Sequence, residues 1–306
     1  MENKSLEEFF VKPKNPFADV QVDFKNSDYV VLGFPFDATS TYRFGSNKAP
    51  EAVREASLNI ETYSFRSDLY IEDLKICDLG NLIIVDDFNQ NFLNLKNVLS
   101  KIFSLKKFPV VLGGEHTLTY SVAEAFPEKF GIISFDAHLD LRDEYLGKRF
   151  SHTTFMRRII EKNGGERVFF VGTRAVCKEE LEYTKKEKIG FLTSLQVKTQ
   201  NIKETLKTLR NFASSFSGVY LTVDIDVLDP AYAPAASNPE PEGLNPTTLT
   251  SILVGLGNTL NIIGLDVVEF TPKYDFGVTA ILAAKIIFEV LCSTEKRRKT
   301  LFKPKF

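Results

Sequence analysis

Three histidines are the whole histidine complement of this 306-residue chain, and each stands in a short polar block suited to metal ligation. The blocks are Gly113-Gly114-Glu115-His116, Ser134-Phe135-Asp136-Ala137-His138-Leu139-Asp140 and Ser151-His152-Thr153-Thr154-Phe155. A fourth block, Thr222-Val223-Asp224-Ile225-Asp226-Val227-Leu228-Asp229-Pro230, adds two carboxylates on alternate residues. Imidazole nitrogens and carboxylate oxygens in this number suffice for two divalent ions, so metal-assisted hydrolysis is the first chemistry to expect.

The spacing has a direct meaning. Asp136, His138 and Asp140 at alternate positions share one side of an extended segment, and Asp224 and Asp226 repeat the device. Four aspartates gathered without cations would repel and take up protons, whereas two divalent cations balance them. A single Asp beside a strand end is usually a turn or helix cap, and a single His is often a satisfied core or surface group. The co-occurrence of all three His with these carboxylates, at strand exits or helix starts, is what favours a metal centre.

The elements that must position these residues follow from apolar patterning. Runs at 29–33, 82–85, 109–113, 131–135, 168–172, 190–192, 219–223 and 262–266 read as strands, and continuous apolar runs suit parallel strands covered on both faces. Between them the pattern predicts helices at 50–57, 94–105, 118–126, 154–162, 178–187, 202–212, 248–256 and 278–291. The architecture is therefore α/β with about eight strands. Strand count alone does not separate a closed barrel from an open three-layer sheet, but both place ligands at the carboxyl ends of their strands. The polar blocks obey that rule, and Glu269 follows the last strand just beyond Asp266.

Composition narrows the class. A formal net charge of −2 gives no footing for a nucleic-acid binder, and the basic run from Lys296 to Lys305 reads as a solvated terminus. Gly113-Gly114 is followed by Glu115-His116, not by a phosphate loop with its Lys and Ser/Thr, which argues against a nucleotide site. Cys77, Cys177 and Cys292 are odd in number and far apart, which points to a reduced compartment. The first residues are polar and no apolar run approaches a bilayer span, so the expectation is a cytoplasmic protein with no membrane partner. No linker or repeat divides the chain, which reads as one domain over 1–306 with short polar N-terminal and basic C-terminal extensions.

At its polar blocks the sequence strongly resembles the ureohydrolase family of arginases, agmatinases and related guanidino-acid hydrolases, over about Val30 to Leu291. Gly113 to His116, Ser134 to Asp140 and Asp224 to Pro230 match its three signature regions in the family's order. The resemblance implies a three-layer α/β/α fold with a mostly parallel sheet, two Mn2+ ions, and a homotrimer or homohexamer. It implies that His116 and Asp140 bind the first manganese, that His138 and Asp226 bind the second, and that Asp136 and Asp224 bridge them. Glu269 matches the guanidinium-binding glutamate, and His152 the non-ligand histidine, a candidate proton shuttle. Asp140 is also a candidate for relaying a proton during collapse of the tetrahedral intermediate. The early loop, with Asp37 and Tyr42-Arg43-Phe44-Gly45, resembles a segment that shapes the active-site rim or a subunit contact.

The substrate expected is a small cationic guanidino compound. The block around His152 looks like the agmatinase version, so the reaction implied is hydrolysis of agmatine to putrescine and urea by metal-bridged hydroxide attack on the guanidinium carbon. Arginase and another guanidino-acid or formimino-substrate hydrolase are the enzymatic alternatives, and a catalytically silent metal-stabilised assembly protein is the non-enzymatic one. Two departures bear on substrate choice. Ala233 to Gly243 lacks the glycines usual after the alanine-proline pair and before the final glycine, and Thr271 stands where the family often has Asn.

Overall fold

The apolar runs assemble into one open sheet in the computed structural model, which describes residues 6–126 and 129–301. The strands are β1 (Phe10–Val11), β2 (Tyr29–Phe34), β3 (Tyr63–Ser64), β4 (Leu69–Tyr70), β5 (Ile76–Leu82), β6 (Phe108–Gly113), β7 (Gly131–Phe135), β8 (Val168–Thr173), β9 (Gly190–Thr193), β10 (Val219–Asp224) and β11 (Ile262–Val268). Nine of them form the order β1-β5-β2-β6-β11-β10-β7-β8-β9, and β3 and β4 pair separately. Every neighbouring pair in the large sheet is parallel except β1 with β5. The sheet has edges at β1 and β9, which rules out the barrel.

Helices cover both faces. On one side α1 (Ala49–Ser57), α7 (Ile202–Ala213), α8 (Pro246–Thr259) and α9 (Val278–Leu301) pack in succession over a core that includes Val31, Leu221, Leu253 and Ile287. On the other, α2 (Phe88–Ser104), α3 (Leu118–Ala125) and α4 (Phe155–Asn163) enclose Leu32, Val111, Leu99 and Phe155. Two short helices, α5 (Lys178–Glu187) and α6 (Ser194–Thr199), flank the β8–β9 end. The result is a three-layer α/β/α fold.

The order of strands creates the site. The chain leaves β6, crosses to β7, runs outward through β8 and β9, and returns to insert β10 and β11 between β6 and β7. The four central strands β6, β11, β10 and β7 thus bring their carboxyl ends side by side, and ligands of such sheets bind in that crevice.

Several boundaries differ from the sequence expectation. The strand expected at Leu82 to Val85 is instead β5, Ile76–Leu82, with Ile83 and Val85 exposed beyond it. Its charge disguised it: Asp78 is buried in mid-strand because both its oxygens accept from the Arg54 guanidinium, at 2.8 and 2.9 Å. Helix α2 begins at Phe88, six residues before Asn94, where the Asp87 side chain caps the Gln90 N–H. Helix α9 continues past Leu291 to Leu301, so Lys296 to Leu301 are helical, and Arg298 pairs with Asp28 at 3.2 Å. The remaining basic positions, 303 and 305, and the first five residues lie outside the described residues. Phe10 of the expected N-terminal extension is buried as part of β1. Helix α6 and the β3–β4 pair were not anticipated. Among the described residues no helix is long and apolar enough to cross a membrane.

Candidate metal centre

Each central strand delivers its polar block through a different local device. After β6 the chain passes so close to the segment following β2 that a Cβ on Gly114 would lie 2.1 Å from the Phe36 carbonyl oxygen, so glycine is required there. Glu115 then turns into the protein and accepts from the Thr39 hydroxyl at 2.5 Å and the Ser40 N–H at 3.0 Å, fastening the loop after β2. His116 follows, fully buried, ahead of α3.

The Asp136-to-Asp140 segment is not the extended strand that its spacing suggested. β7 ends at Phe135, and the Asp136 carboxylate accepts from the His138 N–H at 2.6 Å, folding the segment into a turn that Asp140 leaves with φ of 53°. Asp226 likewise sits in a 3-10 turn after β10, its N–H donating to Asp224 at 2.9 Å. Short polar side chains that bond to nearby backbone compete with the strand ladder, and here they end it. Glu269, after β11, also has a positive φ, 63°. Strained backbone of this kind at non-glycine residues concentrates at functional sites.

These turns bring all six expected ligands together. The His116 Nδ1 atom faces Asp136, Asp224 and Asp140 oxygens at 3.2, 3.4 and 3.6 Å. The His138 Nδ1 atom faces Asp226 at 2.9 Å and Asp136 at 3.7 Å. Potential ligand atoms of His116, Asp136 and Asp140 lie within 4.8 Å of one another, as do those of Asp136, His138 and Asp226. Asp136 belongs to both groups, so the arrangement is a binuclear metal-binding cluster. Buried His116 Nδ1 and Asp136 Oδ2 have no hydrogen-bond partner in the protein, which fits donors directed at cations.

Charge and burial oppose one another here. Burial disfavours the His116 imidazolium, yet Asp136, then Asp140 and Asp266, push its pKa up to about 9. Burial likewise opposes charge on His138, but Asp226 and Asp136 raise its pKa well above the ordinary value. Burial alone would raise Asp136, but the neighbouring His116 and His138 imidazoles bring it down to about 2. Burial followed by repulsion from Asp226 pushes Asp224 well up, and burial followed by Asp136 does the same to Asp140. Removing the protons from this cluster therefore calls for other positive charge, which divalent ions supply.

Around the cluster stands a supporting layer that sequence reasoning missed. His116 Nε2 meets the Thr222 hydroxyl at 2.7 Å, and that hydroxyl donates to Asp266 at 2.5 Å. Since the hydroxyl proton is committed to Asp266, Nε2 carries the imidazole proton and Nδ1 is left as a donor atom for a metal. The available signal was a hydroxyl and a carboxylate in the middle of otherwise apolar strands. Arg174 uses its guanidinium on backbone carbonyls: Asp226 at 2.6 Å, Glu240 at 2.7 Å and Pro241 at 2.7 Å.

His152 and Glu269 lie together beside the cluster. The His152 N–H donates to Thr39 at 3.0 Å, Nε2 meets the Thr41 hydroxyl at 3.2 Å, and Nδ1 lies 3.6 Å from Glu269. Burial, then the charges of His138 and His116, push the His152 pKa down to about 3, leaving a neutral ring at physiological pH. Glu269 accepts from the His116 N–H at 2.7 Å through one oxygen, while the other is buried without a partner. Burial, then Glu115, push its pKa up to about 8. Both residues line a cavity of about 670 Å³ that also reaches His138, Asp140 and Tyr42.

The loop after β10 walls this cavity. Arg43 donates to Pro234 and Ala236 carbonyls at 2.7 and 3.0 Å, the Ser237 N–H to the Glu269 carbonyl at 2.8 Å, and Thr271 bonds the Arg43 carbonyl at 3.2 Å. The early loop is thus a wall support, with Asp37 bonding Ser40 and the Gly45 N–H. Of the two glycine departures, the second carries a backbone cost: Glu242 has φ of 64°, in the left-handed region that favours glycine.

An α/β/α fold with two linked nitrogen-and-carboxylate clusters at its topological switch defines a metal-dependent hydrolase of binuclear type. The chain belongs to the arginase family, whose model matches residues 27–293. It is 39% identical over 266 residues to the "Uncharacterized 32.2 kDa protein in hmfB 3'region" of Methanothermus fervidus, covering 85% of this chain and 90% of that one. It is 35% identical over 274 residues to an agmatinase of Bacillus anthracis, covering 88% and 92%. The solved agmatine ureohydrolase of Thermoplasma volcanium superposes with a TM-score of 0.88 at 34% identity, over 96% of this chain and 98% of that one.

Proposed function

We propose that the protein is a manganese-dependent agmatinase that hydrolyses agmatine to putrescine and urea. The observation that carries this reading is the unpartnered buried oxygen of Glu269 beside the double cluster, in a cavity lined by six carboxylates against two arginines. Such a cavity suits a cation. A guanidinium offers paired N–H donors in a plane, and Glu269 fixes its orientation by charge-assisted hydrogen bonds.

His116 and Asp140 would hold one ion, His138 and Asp226 the other, with Asp136 and Asp224 shared between them. Bound divalent ions supply activation of water at neutral pH. The chain's own residues do the remainder. Glu269 holds the planar carbon against the cluster, the buried walls limit bulk water, and Asp140 receives the proton of the hydroxyl on the tetrahedral carbon and relays it to the departing amine as the C–N bond breaks. His152, neutral and hydrogen-bonded through Thr41 toward the cavity mouth, passes a proton between the departing amine and solvent. The free cysteines, two of them buried, agree with a reducing cytoplasm, and a homotrimer or homohexamer is proposed on the family resemblance, to be measured by light scattering.

The test is urea release from metal-stripped protein reloaded with manganese, offered agmatine, arginine, guanidinobutyrate and guanidinopropionate in parallel. Preferential turnover of agmatine is expected. Preference for a guanidino acid would move the substrate assignment toward Arg142, the pocket arginine not committed to backbone carbonyls, and no urea from any would overturn the reading.

A further inference from the structure

We propose that Glu240 selects the substrate by its far end, its carboxylate pairing with the distal ammonium of an aminoalkylguanidine; this rests on the hydrolase reading above. Six carboxylates line the cavity, and five are committed elsewhere. Asp140, Asp224 and Asp226 face the cluster histidines, and Glu269 accepts from the His116 N–H. The two oxygens of Glu180 accept from the Leu141 and Cys177 N–H groups, both at 3.0 Å.

Glu240 differs from all of these. Among the described residues its side chain makes one ion-pair contact, to His138 Nε2 at 3.9 Å, beyond hydrogen-bond length, while the nearby Arg174 guanidinium is engaged by backbone carbonyls, and the side chain is 41% exposed. His138 turns its other nitrogen, Nδ1, toward Asp226, so Glu240 stands on the outward side of that ring. A carboxylate there meets what projects from the cluster toward the mouth.

Its backbone is held in advance. Pro239 and Pro241 flank it, restricting φ and ψ on both sides. Arg174 bonds the Glu240 and Pro241 carbonyls with the same guanidinium that bonds the Asp226 carbonyl, so the selecting residue and a cluster carboxylate share one fixture. The opposing cation, Arg142, stacks over the Tyr145 ring at 4.9 Å. A distal carboxylate on the substrate would meet Glu240 as a like charge, and a distal ammonium as an opposite one.

The experiment compares wild type, Glu240→Gln and Glu240→Asp, each loaded with manganese, on agmatine and on butylguanidine, which keeps the guanidinium and lacks the amine. Manganese per chain and calorimetric binding of 1,4-diaminobutane are measured on the same preparations. Glu240→Gln is expected to lower the ratio of kcat/KM for agmatine over butylguanidine about tenfold, mainly through KM, and less at high salt where exposed charges are screened. Diamine binding should weaken in step, manganese content should hold, and Glu240→Asp should fall between. An unchanged ratio with wild type active on agmatine overturns this proposal alone, and if manganese content drops at the same time, Glu240 serves His138 instead. Wild type that ignores agmatine in favour of a guanidino acid overturns both this proposal and the agmatinase reading.

Discussion

Replacing Thr222 by valine tests whether the His116–Thr222–Asp266 chain sets the metal affinity. Valine keeps the shape and removes the hydroxyl, so His116 Nε2 loses its partner at 2.7 Å and Asp266 loses its donor at 2.5 Å. All three residues are 0% exposed, and no bulk water replaces the lost bonds. Each unpaired buried group costs about 1–3 kcal/mol, although Asp266 retains Thr119 at 2.9 Å. The imidazole also loses the contact that selects its tautomer and orientation. Loss of such an outer partner typically weakens metal binding about 10–100-fold, or about 1.4–2.7 kcal/mol. Competition between the protein and a chelator for manganese measures this, with thermal denaturation of the metal-free proteins run alongside. Thr222→Ser, which keeps the hydroxyl, should bind nearly as wild type. Manganese affinity for Thr222→Val within about twofold of wild type, well under the energies above, would refute the orienting role. Equal losses in Thr222→Ser and Thr222→Val would do the same.

His152→Asn should retain both manganese ions while urea production falls about 100-fold or more; full activity across the pH range would end the shuttle assignment. In metal-free protein the raised pKa of His116, about 9, stabilises the fold fully below its unfolded value, and that stability is lost as pH rises toward 9. Glu269, raised to about 8, acts in the same direction, because its folded carboxyl binds a proton that the unfolded one releases. The melting temperature of chelated protein should therefore fall between about pH 6.5 and 9, and apparent manganese affinity should rise over the same window as protons cease to compete. A flat melting profile would contradict the cluster charges. Glu242→Gly relieves a left-handed backbone at φ 64°, and the relief of about 1–2 kcal/mol exceeds the added unfolded-state entropy of about 0.4–1 kcal/mol. A higher denaturant midpoint is expected, and a lower one would show that the loop does not bear that strain.

The sequence by itself determined the donor types, their association with strand exits and the α/β class, because apolar strand runs and short polar blocks are local signals, while the three-layer form was implied by the family resemblance and the open edges at β1 and β9 decided it against a barrel. His116, Asp136, His138, Asp140, Asp224 and Asp226 were all legible in that way. Their convergence was legible for the wrong local reason: alternate spacing suggested an extended segment, but Asp136 and Asp224 fold their own backbones into turns. The strand containing Asp78 was misplaced because its charge is offset by Arg54, 24 positions away, and pattern reading assigns a mid-strand carboxylate to the surface. Which histidine nitrogen faces the cluster, that Arg174 grips carbonyls from two loops, and that Glu240 is the uncommitted carboxylate were decided only by tertiary structure. Each depends on groups brought together across the sheet from distant parts of the chain, and periodicity along a chain carries no information about which of them will meet.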